Sequence, residues 1–404
     1  MTPVLYLTRN GLLEPLGQSQ VMAYLRGLAD EYRITLITYE KDEDRADAAR
    51  MAAARAECAR LGIDWRPQRF LPRPRIIAPM LSMLRMVWLV RHEVRRRGVR
   101  LVHARSYIPA AVALVVGRLT GVPFIFDMRA LWPEELITAG RLRRGSFLHR
   151  RIAGAERACL RRAGGVVSLT HAAAAHLRQV YPEALAGQRL AVIPTCADLD
   201  RFTPAAAPPG ERVIGCLGTV LSGWFRLDWL RAFLEAAAGR DPGLRIELTT
   251  RDDPAAVRAA LGDGLAARVT IAPAAPGEVP EVLRGQMASV MFYAGGEVSE
   301  LGRSPTRMGE ILGCGLPVVA NEGVGDVARI IREHRVGILA RSAGPADMAA
   351  AWEGLQALLA DPDLPRRCRA AAEAVFSLQT GTEAYRALYA AVLSGESGLS
   401  AGPG

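Results

Sequence analysis

The feature that most constrains this chain is a repeated alternation of short, continuously apolar runs with helix-length amphipathic stretches. Apolar runs at 4–8, 34–38, 101–104, 124–128, 165–169 and 190–193 fill the first half, and others at 213–217, 244–249, 269–271, 289–292 and 317–320 fill the second. Helical periodicity falls between them, at 19–29, 46–61 and 108–120, then at 227–238, 307–312 and 326–333. Strands that are apolar on both faces must be covered on both faces, which calls for parallel sheets wrapped by helices. Two such series predict an α/β chain of two Rossmann-like domains.

The series break at 194–210, where Pro194, Pro204, Pro208 and Pro209 stand in an Ala-rich stretch together with Asp198 and Asp200. Breakers without periodicity mark a linker. The domains are therefore expected at 1–200 and 201–378, and 404 residues suffice for two cores. A last helix at 379–394 has no strand after it and can pack back on the first domain. Residues 395–404, GESGLSAGPG, read as a disordered tail.

Composition narrows the class. Half of the residues are hydrophobic and 23% are charged, the profile of a folded protein. No run reaches the eighteen or so apolar residues of a membrane span, and residues 1–10 read as a buried first strand rather than a leader. Cys58, Cys159, Cys196, Cys216, Cys314 and Cys368 stand singly, without metal-ligand or disulfide spacing. Buried, reduced thiols in a cytoplasmic protein are expected. Charge is uneven: residues 1–195 carry 31 Arg and Lys against 16 acids, whereas 196–404 carry 20 against 25. The first half should face something anionic; nucleic acid, a membrane surface and an acidic substrate all qualify on charge alone.

In open parallel sheets ligands bind beyond the carboxyl ends of strands. The loop Arg303-Ser304-Pro305-Thr306-Arg307 follows a strand and opens a helix that carries Glu310. A helix start with two cations suits a diphosphate, although Pro305 with Ser304 or Thr306 is also ordinary helix-start chemistry. A second loop, Gly218-Thr219 to Arg226, allows close backbone approach to a ligand, or simply tight packing. The third, 11–20 with Gly17, matches no G-x-G-x-x-G fingerprint, which disfavours nicotinamide or flavin. Asp127 ends an apolar strand, where a carboxylate must be paired or functional; pairing with Arg129 and catalysis both remain open. His103 reads as a core histidine and His171 as a first-turn residue. Asp198-Leu199-Asp200 lies in the linker and is not expected to bind metal.

The segments YLTRNGLLEPLGQSQV, LVHARS, FIFDMRALWPEE, VVSLTHAAAAHL, VIPTCADLDRF, CLGTVLSGWF and SPTRMGEILGCGLPVVANEGVGD occur in this order. Together they resemble the retaining, family-four glycosyltransferases of the GT-B fold, the enzymes of bacterial glycan assembly. The resemblance runs from about residue 4 to residue 340. It implies two Rossmann-like domains facing each other across a cleft. A nucleotide-diphosphate-sugar donor is expected on the second and a glycan or lipid-linked acceptor mainly on the first, with no cofactor and no metal. In relatives a Glu at the position of Glu310 binds the ribose hydroxyls, a contact a carboxylate can make with two hydroxyl donors. The loop before it cradles the diphosphate.

Three departures stand out. Relatives often carry a Glu eight positions before Glu310, where this chain has Gly302; Glu300 or Glu297 would have to fold in to replace it. Thr219 and Trp224 occupy the places of the usual Arg and Lys, so Arg307, Arg303 or Arg226 must supply the positive charge, Arg307 foremost. Arg129 stands where relatives commonly have His. The expected catalytic set is Asp127, Arg129, Arg307 and Glu310. The donor is assigned to Gly17, Gly218, Thr219, Arg226, Arg303, Ser304, Pro305, Thr306, Arg307 and Glu310. A nucleotide-sugar epimerase and a catalytically silent nucleotide-sugar-binding protein are the alternatives.

Residues 69–100 hold nine arginines against the single acid Glu93, with Ile76, Ile77, Met80, Leu81, Leu84, Val87 and Trp88 near helical spacing. A basic amphipathic helix of this kind suits the anionic inner face of a membrane, and an ordinary core-packed helix with solvated arginines is the other reading. Nucleic acid is not an expected partner.

Overall fold

Strand order, rather than strand content, decides where ligands can sit in this chain. The structure, a computed structural model, describes residues 1–70, 77–207 and 210–395, and side chains throughout these except at 77–82. Residues 396–404 of the expected tail, Pro208 and Pro209, and Arg73, Arg75 and Ile76 of the basic segment lie outside the described residues.

The chain divides into two compact units. The first runs from Met1 to Pro194 and takes up the chain again from Gln379; the second is Thr195–Leu378. The first unit contains β1 (Thr2–Leu7), β2 (Tyr32–Glu40), β3 (Asp64–Arg69), β4 (Leu101–Arg105), β5 (Phe124–Asp127), β6 (Gly165–Ser168) and β7 (Leu190–Val192). They form one sheet in the order β3-β2-β1-β4-β5-β6-β7, with every pairing parallel. The second unit contains β8 (Val213–Leu217), β9 (Arg245–Thr249), β10 (Val269–Ala272), β11 (Ala288–Met291), β12 (Val318–Asn321) and β13 (Gly337–Ala340). Its sheet has the order β10-β9-β8-β11-β12-β13, again all parallel.

These are the two doubly wound sheets expected from the apolar runs, each wider by one edge strand. β3, DWRPQR, is polar and carries Pro67, which only an edge tolerates. β13, GILA, is short and only partly buried. Central strands such as β4 and β5 are buried throughout, because helices cover both faces. The six cysteines are buried and unpaired.

The last helix, Leu378–Ser394, buries Gly381, Thr382, Tyr385, Leu388, Tyr389 and Val392 along one stripe. Small residues let it approach: a Cβ on Gly165 would stand 2.7 Å from Leu388, and one on Gly164 would stand 2.6 Å from Val392. Each large apolar side chain buried there contributes roughly 1.5–3 kcal/mol. This helix brings two tyrosines to the underside of β4, with consequences for the chemistry of the first unit.

In each sheet the direction of strand addition reverses once, between β1 and β4 in the first and between β8 and β11 in the second. Loops leaving the strands on either side of such a point diverge and open a crevice, the ordinary ligand position of this architecture.

Candidate functional site

At the reversal in the second unit, Gly218 follows β8 with φ of 100°, a conformation that favours glycine. Its N–H donates to the carbonyl of Thr249 at 2.7 Å. The Arg307 guanidinium lies directly over it: an added Cβ at Gly218 would stand 1.8 Å from Nη2. The Arg307 charge also reaches Tyr293, which follows β11: burial raises that phenol's pKa and Arg307 pulls it down. One cation thus acts at the carboxyl ends of both strands that flank the reversal. Thr219 is exposed beside it.

Arg307 comes from the helix Thr306–Gly313, which starts after Pro305 without a side-chain cap. Gly309 and Gly313 face inward: a Cβ on Gly309 would meet Phe376 at 2.7 Å, and one on Gly313 would meet Leu199 at 2.9 Å. Close packing of these glycines fixes the helix start. Ser304 is pinned as well, its carbonyl accepting the Thr195 hydroxyl at 2.6 Å. Glu310, one turn after Arg307, is half-buried and has no hydrogen-bond partner among the described residues. Burial pushes its carboxyl above the ordinary value, while Arg307 and then Arg201 pull it down.

The other expected cations are engaged. Arg303 forms a two-pronged ion pair with Glu300, Nη2–Oε1 3.0 Å, and its guanidinium stacks over Trp224 and Tyr293 at 5.1 and 5.6 Å. Glu300 is fully buried by this pairing. It folds in, but onto Arg303. Arg226 pairs with Asp228 at 2.7 Å and covers Trp229. Asp198 accepts the Asp200 N–H at 3.2 Å, an ordinary turn.

Two carboxylates missing from the sequence reading brace the loops. Asp252 accepts the N–H groups of Val220 and Leu221 at 2.6 and 3.0 Å. In the first unit Glu40, at the end of β2, accepts Leu12 N–H at 2.7 Å and Leu13 N–H at 3.4 Å. In both units, then, the loop after the first strand is tied to an acid at the end of the second strand or just beyond it. Gly17 sits under that first-unit loop, where a Cβ would stand 2.2 Å from the Gly11 carbonyl, and begins a π turn over Gly17–Met22. Such turns recur at functional sites.

Under the carboxyl ends of β4 and β5, Asp127 is fully buried. One oxygen receives Arg129 at 3.3 Å, the other His103 Nε2 and the Tyr385 hydroxyl, each at 3.2 Å. Burial would raise this carboxyl, but Arg129, then His103 and Arg105, hold it below the usual range. His103 shifts down because burial outweighs Asp127, so it is neutral near pH 7. An ionised Asp127 can only accept, which places the imidazole proton on Nε2; Tyr389 then donates to Nδ1, 2.7 Å away. Ring contacts to Tyr6 at 4.2 Å and Tyr385 at 5.3 Å close the cluster. His171 is the first residue of its helix, whose cap is Thr170 accepting the Ala173 N–H at 3.1 Å.

Residues 17–201 match the sequence profile of Glycosyltransferase Family 4. No curated protein sequence matches the chain. Among solved structures, a glycosyltransferase from Rickettsia africae superposes with a TM-score of 0.71 at 14% identity, over 98% of this chain and 99% of its own. Sucrose-phosphate synthase from Thermosynechococcus elongatus gives 0.68 at 16%, over 98% and 100%. The Anabaena protein HepE, solved in complex with UDP-glucose, gives 0.65 at 16%, over 96% and 100%. At these identities the likeness is one of fold, two Rossmann-like domains of the GT-B type. The Glycosyltransferase Family 4 profile thus spans most of the first unit, and the GT-B fold runs along the whole chain.

Proposed function

We propose that this chain moves a sugar from a nucleotide-diphosphate-sugar to a glycan or lipid-linked acceptor, with retention of anomeric configuration, in polysaccharide or glycolipid assembly. The observation that carries this reading is Arg307 held over Gly218 at the strand reversal, with the unpartnered carboxylate of Glu310 one turn away. A guanidinium at an uncapped helix start can hold a diphosphate. A free carboxylate beside it can accept both hydroxyls of a ribose. That HepE was solved with UDP-glucose supports a nucleotide-linked donor.

In the transfer, the bond from the anomeric carbon to the diphosphate breaks and the acceptor oxygen bonds on the same face. The acceptor's proton leaves with the diphosphate. Arg307 stabilises charge where it develops, on the leaving group, and needs no reorganisation to do so. Glu300, the acid nearest the lost position 302, is held by Arg303, which supports displacement without a covalent enzyme intermediate. Arg307 supplies the charge that a metal ion would otherwise bring, and no metal is part of this reading.

The test is incubation with a panel of nucleotide-diphosphate-sugars with and without glycan or lipid-linked acceptors. Nucleoside diphosphate should appear only when an acceptor is present. Epimerised donor without acceptor would favour an epimerase, and donor binding without turnover a silent binding protein.

The basic segment motivates a second reading, attachment to the inner face of a membrane. In the helix Ile77–Arg97 the residues Met86, Val90 and Val94 are buried, while Leu84 is 61% and Trp88 64% exposed. Trp88 stacks on His92 at 5.4 Å, and Arg85, Arg95 and Arg96 are exposed. Exposed Leu and Trp among arginines suit the headgroup level of an anionic bilayer. Among the described residues, no helix is long and apolar enough to cross a membrane.

A further inference from the structure

Arg105 is the last residue of β4 and is 4% exposed, yet its Nε has no hydrogen-bond partner and its guanidinium forms no ion pair among the described residues. Side chains alternate along a strand, so Arg105 shares the face of His103 and lies one step nearer the carboxyl edge. Its electrical surroundings are Arg129, Tyr6, Asp127 and Tyr385, and the repulsion from Arg129 exceeds the attraction of Asp127. Asp127 is already committed to Arg129, His103 and Tyr385, and His103 is neutral. The buried group therefore holds two guanidinium charges against one carboxylate. A buried cation is tolerated when something anionic compensates it, and nothing among the described residues of this unit does.

The position is the strand reversal of the first sheet, between the loop after β1 and the end of β4. The next residue, Ser106, has φ of 77°, unusual for a residue with a Cβ, and precedes the uncapped helix Tyr107–Thr120. Strain of this kind collects at ligand sites.

We propose that Arg105, assisted by Arg129, binds an oxyanion of the substrate handled by the first unit, a phosphate ester or carboxylate. This rests on the transferase reading and narrows the substrate to one that presents an anionic group to the first unit. Two sources share this chemistry, the acceptor's own anion and the diphosphate of the donor.

The experiment measures binding of inorganic phosphate, pyrophosphate and UDP to the full chain by calorimetry at constant ionic strength, in the wild type and in Arg105→Gln, Arg105→Lys and Arg307→Gln. Phosphate binding should fall at least tenfold in Arg105→Gln, recover in part in Arg105→Lys, and persist in Arg307→Gln. Unchanged UDP affinity in Arg105→Gln assigns the anion to the acceptor, and a parallel loss assigns it to the donor; either supports the site. Without phosphate, Arg105→Gln should unfold no earlier than the wild type, since a ligand-binding cation contributes nothing to the empty fold. Undiminished phosphate binding in Arg105→Gln, no phosphate binding by the wild type, or a clear loss of unliganded stability would overturn the proposal. No arm depends on turnover, so a failed transfer assay leaves the result readable.

Discussion

Arg307 rests on Gly218 so closely that no other residue fits beneath its guanidinium. The glycine serves twice, by accepting a positive φ and by leaving the space an arginine fills. Gly218→Ala should therefore displace Arg307 and reproduce the effect of removing it. Both Gly218→Ala and Arg307→Gln are expected to weaken UDP at least tenfold, about 1.4 kcal/mol. Uridine should bind the Arg307 variant nearly as it binds the wild type. Titration calorimetry with both ligands checks this, and equal losses for the two would detach Arg307 from the phosphates.

Glu310 should show the opposite preference. If its carboxylate takes the ribose hydroxyls, Glu310→Ala loses charge-assisted hydrogen bonds of about 1.5–3 kcal/mol. The loss, ten- to a hundredfold, should be as large for uridine as for UDP, and smaller for 2′-deoxyuridine. Thermal unfolding should be almost unchanged, because the carboxylate has no hydrogen-bond partner to lose among the described residues. A variant that binds all three nucleosides and nucleotides normally would remove Glu310 from the donor site.

The reach of sequence reasoning in this chain follows the range of the contacts. Buried strands announce themselves because both faces are apolar, so β4 and β5 were legible. β3 was not, since an edge strand need not be apolar and here carries Pro67. Gly218 is visible as a loop glycine, but its reason, Arg307, comes from a distant helix. Arg303 looks like a phosphate ligand in a string of letters, and only geometry shows it committed to Glu300. Glu40 and Asp252 gave no signal, because a carboxylate that accepts backbone N–H groups resembles any surface acid in sequence. Arg105 has a readable sign, a cation closing the buried run LVHAR before a helix, but in sequence it is overshadowed by His103 two residues earlier.

The buried cluster makes stability depend on pH. Tyr6, Tyr385, Tyr389, Asp127, Arg105 and Arg129 surround His103, and burial holds its folded value below the ordinary 6.5. Below that unfolded value the unfolded chain takes up a proton that the folded chain refuses, so stability falls with pH until the folded value is reached. Each pH unit in this window costs up to about 1.4 kcal/mol. Asp127, shifted the other way, contributes stability above the ordinary carboxylate range that is lost only at more acid pH. Urea midpoints measured from pH 7.5 to 5 should decline, and the decline should flatten in His103→Gln. An equal slope in the variant would place its origin elsewhere.

Chelation bears on the leaving group. In the proposed transfer the positive charge at the diphosphate comes from Arg307 and the uncapped helix start, so activity should continue in EDTA at rates within about twofold of the untreated protein, a change of less than 0.5 kcal/mol in the barrier. Activity abolished by EDTA and restored by magnesium or manganese would show that the arginine alone is not sufficient.

Membrane attachment is separable from chemistry by mutation. Leu84 and Trp88 stand out from the helix Ile77–Arg97 on the side away from Met86, Val90 and Val94, and Arg95 and Arg96 follow on exposed positions. Each arginine near an anionic surface contributes about 1 kcal/mol and the Trp anchors at headgroup depth, so binding should be reversible and sensitive to salt. Sedimentation with vesicles of graded anionic lipid content should show binding that rises with that content and falls as salt is added. Trp88→Ala should weaken it at all salt concentrations, since its contribution is apolar, whereas Arg95→Gln with Arg96→Gln should weaken it mainly at low salt. Neither change touches Arg307, Glu310 or Arg105, so transfer to a soluble acceptor should be unaffected while transfer to an acceptor embedded in vesicles drops. Wild-type protein that stays in the supernatant with anionic vesicles at low salt would leave Leu84 and Trp88 as solvent-exposed residues with no role at a bilayer.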